Sequence, residues 1–346
     1  MEKTNKVMRI VLSIVTFVVV ALFVVSLFAL PVESSVIGNQ TTNLNIYDII
    51  KSFFQSIEQM QAMGEQGLQL LPAILAILMT MVFAIVFGII ALVKGIILLV
   101  KTIKGMSGKG ELEPLLKSLV GFGSILVIYI ALLLGIIYSH NPAQTVSLGA
   151  GTDMMLSCGV VSLAIAGAYR IAVKDERKLV NKILSLATSA LVIVGVLVAF
   201  SASVAQGEDT SFGLLVLFPQ FISFVASGHA DPSVITGYVF AVIGVVAICV
   251  SLGMAKGVIC NGFTVDVEGK NPDFAKSSIV KSAVWFGLMI VGFVLIVVGL
   301  NKGGIGLGAG AIVGMVMGAL ALAAAIVNKV LANKSKAPEA EEPKAE

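Results

Sequence analysis

The sequence predicts an all-α integral membrane protein of eight transmembrane helices, arranged as two parallel four-helix repeats with exoplasmic interfacial helices. Three observations predict it: an apolar composition, eight runs of spanning length, and short phrases that recur in the same order. Charged residues make up 12% of the 346 positions, where a soluble domain carries about 25%. Apolar residues reach 58%, with 35 glycines besides, and mean hydropathy is +1.02. A surface made of this material cannot face water, so its solvent is the lipid bilayer.

A helix crossing a core of about 30 Å needs roughly 20 apolar residues and must satisfy its own backbone hydrogen bonds. Eight runs qualify: 10–30, 71–93, 118–138, 154–172, 183–204, 234–255, 282–300 and 308–330. None holds an Asp or Glu. Pro72 and Pro232 fall where a helix begins, so their missing N–H costs little. For the first run a cleaved signal peptide is the alternative, because Lys3, Lys6 and Arg9 precede it. Its 21 residues exceed the usual hydrophobic region of about 7–15, so a retained anchor is expected.

Basic residues set the direction. Twenty-one of the 23 lie before run one, in 94–117, 170–182 and 256–281, or in the tail from Lys329. Only Lys51 and Lys302 lie on the other side. Both termini are therefore expected in the cytoplasm and the chain in the plasma membrane. Even spacing of the lysines makes no nucleic-acid stripe. Cys158, Cys249 and Cys260 show neither paired nor CxxC spacing, so no disulfide framework is indicated.

KSLVGFG at 117–123 returns as KSAVWFG at 281–287. LSIVT at 12–16 answers LSLAT at 184–188, Lys94-Gly95 answers Lys256-Gly257, and LGAG recurs at 148–151 and 307–310. Each echo lies between 159 and 172 residues downstream, at the same place relative to its run. A duplicated unit is expected: residues 1–177 and 178–333, followed by a disordered cytoplasmic tail, 334–346. Four crossings per copy put both copies in the same orientation, related by an axis along the membrane normal. Gly123 and Gly287, closing the repeated phrase, are expected to admit close neighbours.

Two outer segments carry patterns of their own. Ile46, Ile50, Phe53, Ile57 and Met60 recur at +4, +3, +4, +3, a candidate exoplasmic amphipathic face that lies on the membrane or across the span mouths. SFGLLVLFPQFISFVAS at 211–227 is uncharged and broken by Pro219. It reads as an interfacial helix pair, with a re-entrant segment as the alternative. Inside the membrane the distinctive pattern is steric. Gly306, Gly310, Gly314 and Gly318 repeat every four residues, a glycine zipper continued by Ala321 and Ala325. This is a candidate groove for helix packing or self-association.

Chemistry is sparse. Walker, Rossmann, Gly-x-Ser-x-Gly and HExxH patterns are all missing. His140, Asp153, His229 and Asp231 lie in outer segments without metal-ligand spacing. Asp153 and Arg170 sit at opposite ends of one run, too far apart to pair. No catalytic residue, cofactor or metal is expected. The reading is a non-catalytic polytopic protein: a scaffold, assembly or partner-binding component. Its expected partners are the bilayer, further copies of itself or other membrane proteins. The alternative is a passive channel or transporter for a neutral or apolar solute, since ion coupling would recruit buried acidic groups.

Overall fold

A computed structural model describes residues 2–31, 33–37, 40–63, 71–107, 111–139, 145–172, 178–207, 211–215, 217, 221, 231–264, 274–300 and 305–334. Helix α1 (Glu2–Phe28) leads into strands β1 (Glu33–Ile37) and β2 (Gln40–Leu44), then α2 (Ile46–Met63). The long helices α3 (Leu71–Met106) and α4 (Leu112–Ser139) follow, then β3 (Thr145–Leu148) and α5 (Ala150–Ala172). The rest runs α6 (Leu179–Ser201), β4 (Ala205–Gln206), β5 (Ser211–Phe212), α7 (Pro232–Phe263), α8 (Phe274–Leu300), β6 (Gly306–Leu307) and α9 (Ala309–Lys334).

All of these helices except α2 are long and apolar enough to cross a membrane, eight among the described residues. Their outer faces carry valine, isoleucine and leucine in the open, as on α3 at Ile85, Ile89, Val93 and Ile96. Eight such helices with apolar outer faces make this an integral membrane protein. The tail beyond Lys334 and most of 211–227 lie outside the described residues.

Several helix ends differ from the sequence expectation. The segment 94–117 is mostly helix, because α3 continues to Met106 and α4 starts at Leu112. Lys94, Lys101 and Lys104 ride on α3, whose apolar stretch is Ile85–Met106. Long stems let an ammonium leave the apolar layer without ending its helix. Lys101 Nζ reaches across the hairpin to Pro114 O at 3.1 Å and Ser118 Oγ at 2.6 Å. Likewise α7 continues past Lys256 to Phe263.

The strands were not expected at all. They form two small antiparallel sheets, ordered β2-β1-β3 and β5-β4-β6. In the first, Glu33 pairs with Leu44 and Leu148, and Val36 with Thr41 and Thr145. In the second, Ala205 pairs with Phe212 and Leu307. In each sheet the central strand follows one spanning helix, and one edge strand precedes the last spanning helix of its set.

Helix neighbours follow a matching order. In the first set α1 packs on α3 and α5, and α4 packs on the same two. In the second, α6 packs on α7 and α9, and so does α8. A core around Phe23, Leu98, Phe122 and Tyr129 holds the first set together. The Phe23 and Phe122 rings meet edge to face at 5.2 Å, a favoured aromatic geometry. The two sets join where α4 and α5 pack on α6 and α7. That seam shares one core with the second set, from Val127 and Ala131 through Val196 and Phe200 to Trp285.

The LGAG echo has a local explanation here. Gly151 N donates to Pro31 O at 2.8 Å, and Gly310 N donates to Ser203 O at 2.7 Å. A Cβ on either would press on carbonyl oxygens 2.7–2.9 Å away. Each glycine lets the start of a last helix lie against the chain leaving a first helix.

Candidate functional site

Three of the four zipper glycines face the chain's own helices. A Cβ on Gly310 would lie 2.9 Å from Ala202 O, and one on Gly314 would lie 2.8 Å from Met289 Cε and 3.4 Å from Ala199 Cβ. Gly318 meets Phe286 Cδ2 at 2.6 Å. The groove on α9 is thus filled by α6 and α8. Gly306 does not join it: it belongs to β6, ahead of the helix. Glycines face glycines elsewhere, between α7 and α8, where Gly237 and Gly244 meet Gly299 and Gly292. The signal was present as a seven-residue spacing on each helix, but its two halves sit in separate runs.

The repeated phrase is not used alike in both places. A Cβ on Gly123 would lie 2.9 Å from Gly159 O, whereas Gly287 has nothing within 4 Å. These numbers give a paired expectation. Gly314→Ile should cost about 1–3 kcal/mol through overpacking against Met289 and Ala199. Gly287→Ile should leave stability almost unchanged. Thermal unfolding of the two purified variants against the parent checks it.

Helix α2 forms where the amphipathic face was expected. Asn45 and Asp48 close a capping box, with Asp48 N donating to Asn45 Oδ1 at 2.9 Å and Asn45 N to Asp48 Oδ2 at 3.2 Å. The helix packs on α3 and β2. Ile50 and Ile57 are half-buried, while the side chains of Ile46, Phe53 and Met60 lie outside the described residues. Tyr47 and Phe54 point outward, a second aromatic face that the chosen register passed over.

At the opposite end of the helices from the sheets, a polar network crosses the seam at Arg170 and Ser124 and continues into the second set. Arg170 is buried on α5, yet Nη1 donates to Asn261 O at 2.8 Å and to Gly262 O. These are the last carbonyls of α7, which lack partners inside their own helix. The cation also opposes the negative end of the α7 dipole. Asn261 Nδ2 donates to Ser277 Oγ at 3.1 Å, and Lys281 Nζ donates to Asn261 Oδ1 at 3.4 Å. Ser189 Oγ donates to Val258 O at 3.0 Å, Asn328 Nδ2 to Ser185 Oγ at 2.8 Å, and Ser124 Oγ lies 3.5 Å from Cys260 Sγ. Sequence reading placed Arg170 at its helix end but missed its acceptors, 91 and 92 residues further on.

This arrangement can latch helices; it offers no nucleophile paired with a base. Asp231 caps α7 by accepting from Ser233 N at 2.8 Å, and Asp153 stands in the first turn of α5. His140 and His229 lie outside the described residues. Among the described residues no His, Cys, Asp and Glu group gathers around a metal position. No family model, characterised protein or solved structure matches this chain. The residues and their geometry carry the functional reading.

Proposed function

We propose that the chain is a non-catalytic membrane scaffold built from a duplicated four-span unit, which holds partners within the plane of the bilayer. The observation that carries the reading is the matched pair of sheets. In both, the strand after a first helix lies between the next strand and the strand before a last helix. The helix neighbours match as well, α1, α3, α4 and α5 corresponding to α6, α7, α8 and α9. The same strand order in both halves is what a duplicated unit would give.

Both termini lie in the cytoplasm in this reading, since twenty-one of the 23 basic residues fall before the first span, in the alternate connections 94–117, 170–182 and 256–281, or in the tail from Lys329. A scaffold needs broad packing faces and no reactive groups. The apolar runs without acidic residues and the helix latch at Arg170 are consistent with that.

The test has two arms. Crosslinking in the native membrane should recover a protein in fixed stoichiometry, whether a second copy or another membrane protein. Purified chain in liposomes should pass no neutral solute faster than empty vesicles. A saturable flux without any crosslinked species would instead make it a conduit. The orientation has its own check: a membrane-impermeant maleimide should modify Cys260 from the cytoplasmic side alone.

A further inference from the structure

We propose that a second copy of this chain docks head to tail, seating the α8 face of one copy on the α1 face of the next. The inference rests on the duplicated-unit reading above and extends it to the assembly. Inside the chain the two halves meet through unlike faces: α4 and α5 of the first pack on α6 and α7 of the second. In unit terms, a third-and-fourth-helix face meets a first-and-second-helix face. Such a contact is heterologous. It leaves one face of each kind uncovered, and repeating it between copies closes a ring when the rotation allows.

The echoes identify the uncovered faces residue by residue. On α6, Ser189, Ile193, Val196 and Phe200 follow one side, with Ser189 bonded to α7 of its own set and Phe200 reaching the first. Phe200 is 1% exposed and presses on Gly135 of α4, its Cδ1 3.0 Å from where a Cβ would stand. The register of LSIVT and LSLAT carries these four to Phe17, Ala21, Val24 and Phe28. All four are exposed, Phe28 at 67%.

The complementary face shows the contrast at two of its four positions, Val284 and Val291, while Leu288 and Leu295 are half-buried. On α4, Val120, Ser124, Val127 and Ala131 are buried, with Ser124 beside Cys260 and the other three in the core that spans the seam. The register of KSLVGFG and KSAVWFG carries them to Val284, Leu288, Val291 and Leu295. Val127 is 0% exposed and Val291 is 51%. Within their apolar stretches, 83% of α4 is buried against 33% of α8, whereas α1 and α6 are alike at 44% and 39%. Lipid accounts for apolar residues facing outward. It does not by itself place outward residues such as Phe28 and Val291 where their counterparts, Phe200 and Val127, are buried.

Cysteine crosslinking in membranes tests the docking. The counterpart of the Phe200–Gly135 contact is Phe28 against Gly299. Because Gly299 faces Gly237, its exposed neighbour Val298 takes the thiol. Phe28→Cys and Val298→Cys are made singly, with Cys158, Cys249 and Cys260 replaced by alanine, and co-expressed with different tags. Copper–phenanthroline oxidation should link unlike variants roughly tenfold more than either variant with itself, because a heterologous contact brings together only unlike positions. Linkage between like positions, or equal linkage in every mixture, overturns the proposal. A separate chain carrying Ser124→Cys with native Cys260 should close an intrachain disulfide across the seam. If it closes while the unlike pair stays apart, the docking falls and the seam stands; if it stays open, the seam contact from which the docking is drawn falls with it.

Discussion

Replacing Gly244 with isoleucine is expected to cost about 3 kcal/mol, at the upper end of what overpacking usually does, and to release α8 from α7. Between these helices the backbones themselves come close, with Ile248 and Ile296 beside them. A side chain on Gly244 meets the carbonyl oxygen of Gly292 and Ile296 Cγ1 at 2.9 Å. One turn pair further along, Gly299 stands against Gly237, with Ala241 N 2.9 Å from its would-be Cβ. A clashing side chain can rotate away, but a clashing carbonyl moves only with its helix. The attraction lost is dispersion between close backbones, which drives helix association where no hydrophobic effect operates. Gly253→Ile is the control, since nothing lies within 4 Å of that position. Thermal unfolding in mild detergent should separate the two variants clearly, and equal melting would remove the backbone contact from the account.

Arg170→Ala is expected to weaken the seam by about 2–3 kcal/mol, the range for hydrogen bonds to a charged group. The substitution leaves Asn261 O and Gly262 O without their donor in a buried place. It also leaves the negative end of the α7 dipole without its cation. Loss of the latch should loosen the last turn of α7, so Cys260 should react faster with maleimide than in the parent. An unchanged labelling rate together with unchanged stability would show that the contact contributes nothing. Lysine at this position should recover part of the loss, since a single ammonium keeps the charge but not the fork that spans two carbonyls.

The eight spanning helices were legible because a bilayer imposes a length and forbids charge, and both constraints are written locally. Their ends opposite the sheets were less legible. Lys94, Lys101 and Lys104 read as a loop when counted as charges, yet a lysine stem can stay helical and still reach water. The strands escaped because each pairs with a partner far along the chain: Val36 meets Thr145, and Ala205 meets Leu307. A local hint existed in Gly38-Asn39, between two short alternating segments, a dipeptide suited to hairpins.

The glycines divide on the same physical line. Gly310, Gly314 and Gly318 announce a groove because one helix carries the whole row. Gly244 and Gly292 announce nothing until two helices are laid together. Arg170 shows the limit most clearly, since a helix end in the sequence cannot say whose carbonyls it will reach.

The first sheet also has a consequence for how the chain is made. A ribosome has delivered all three of its strands by Leu148, before a single residue of α6 has been added. The leading half can therefore knit its outer end while the trailing half is still unborn. For the second sheet the wait lasts until Leu307, after α7 and α8 have already been threaded. Translation pauses near that point would keep β4 and β5 waiting for their last strand, with the newest helices still unanchored.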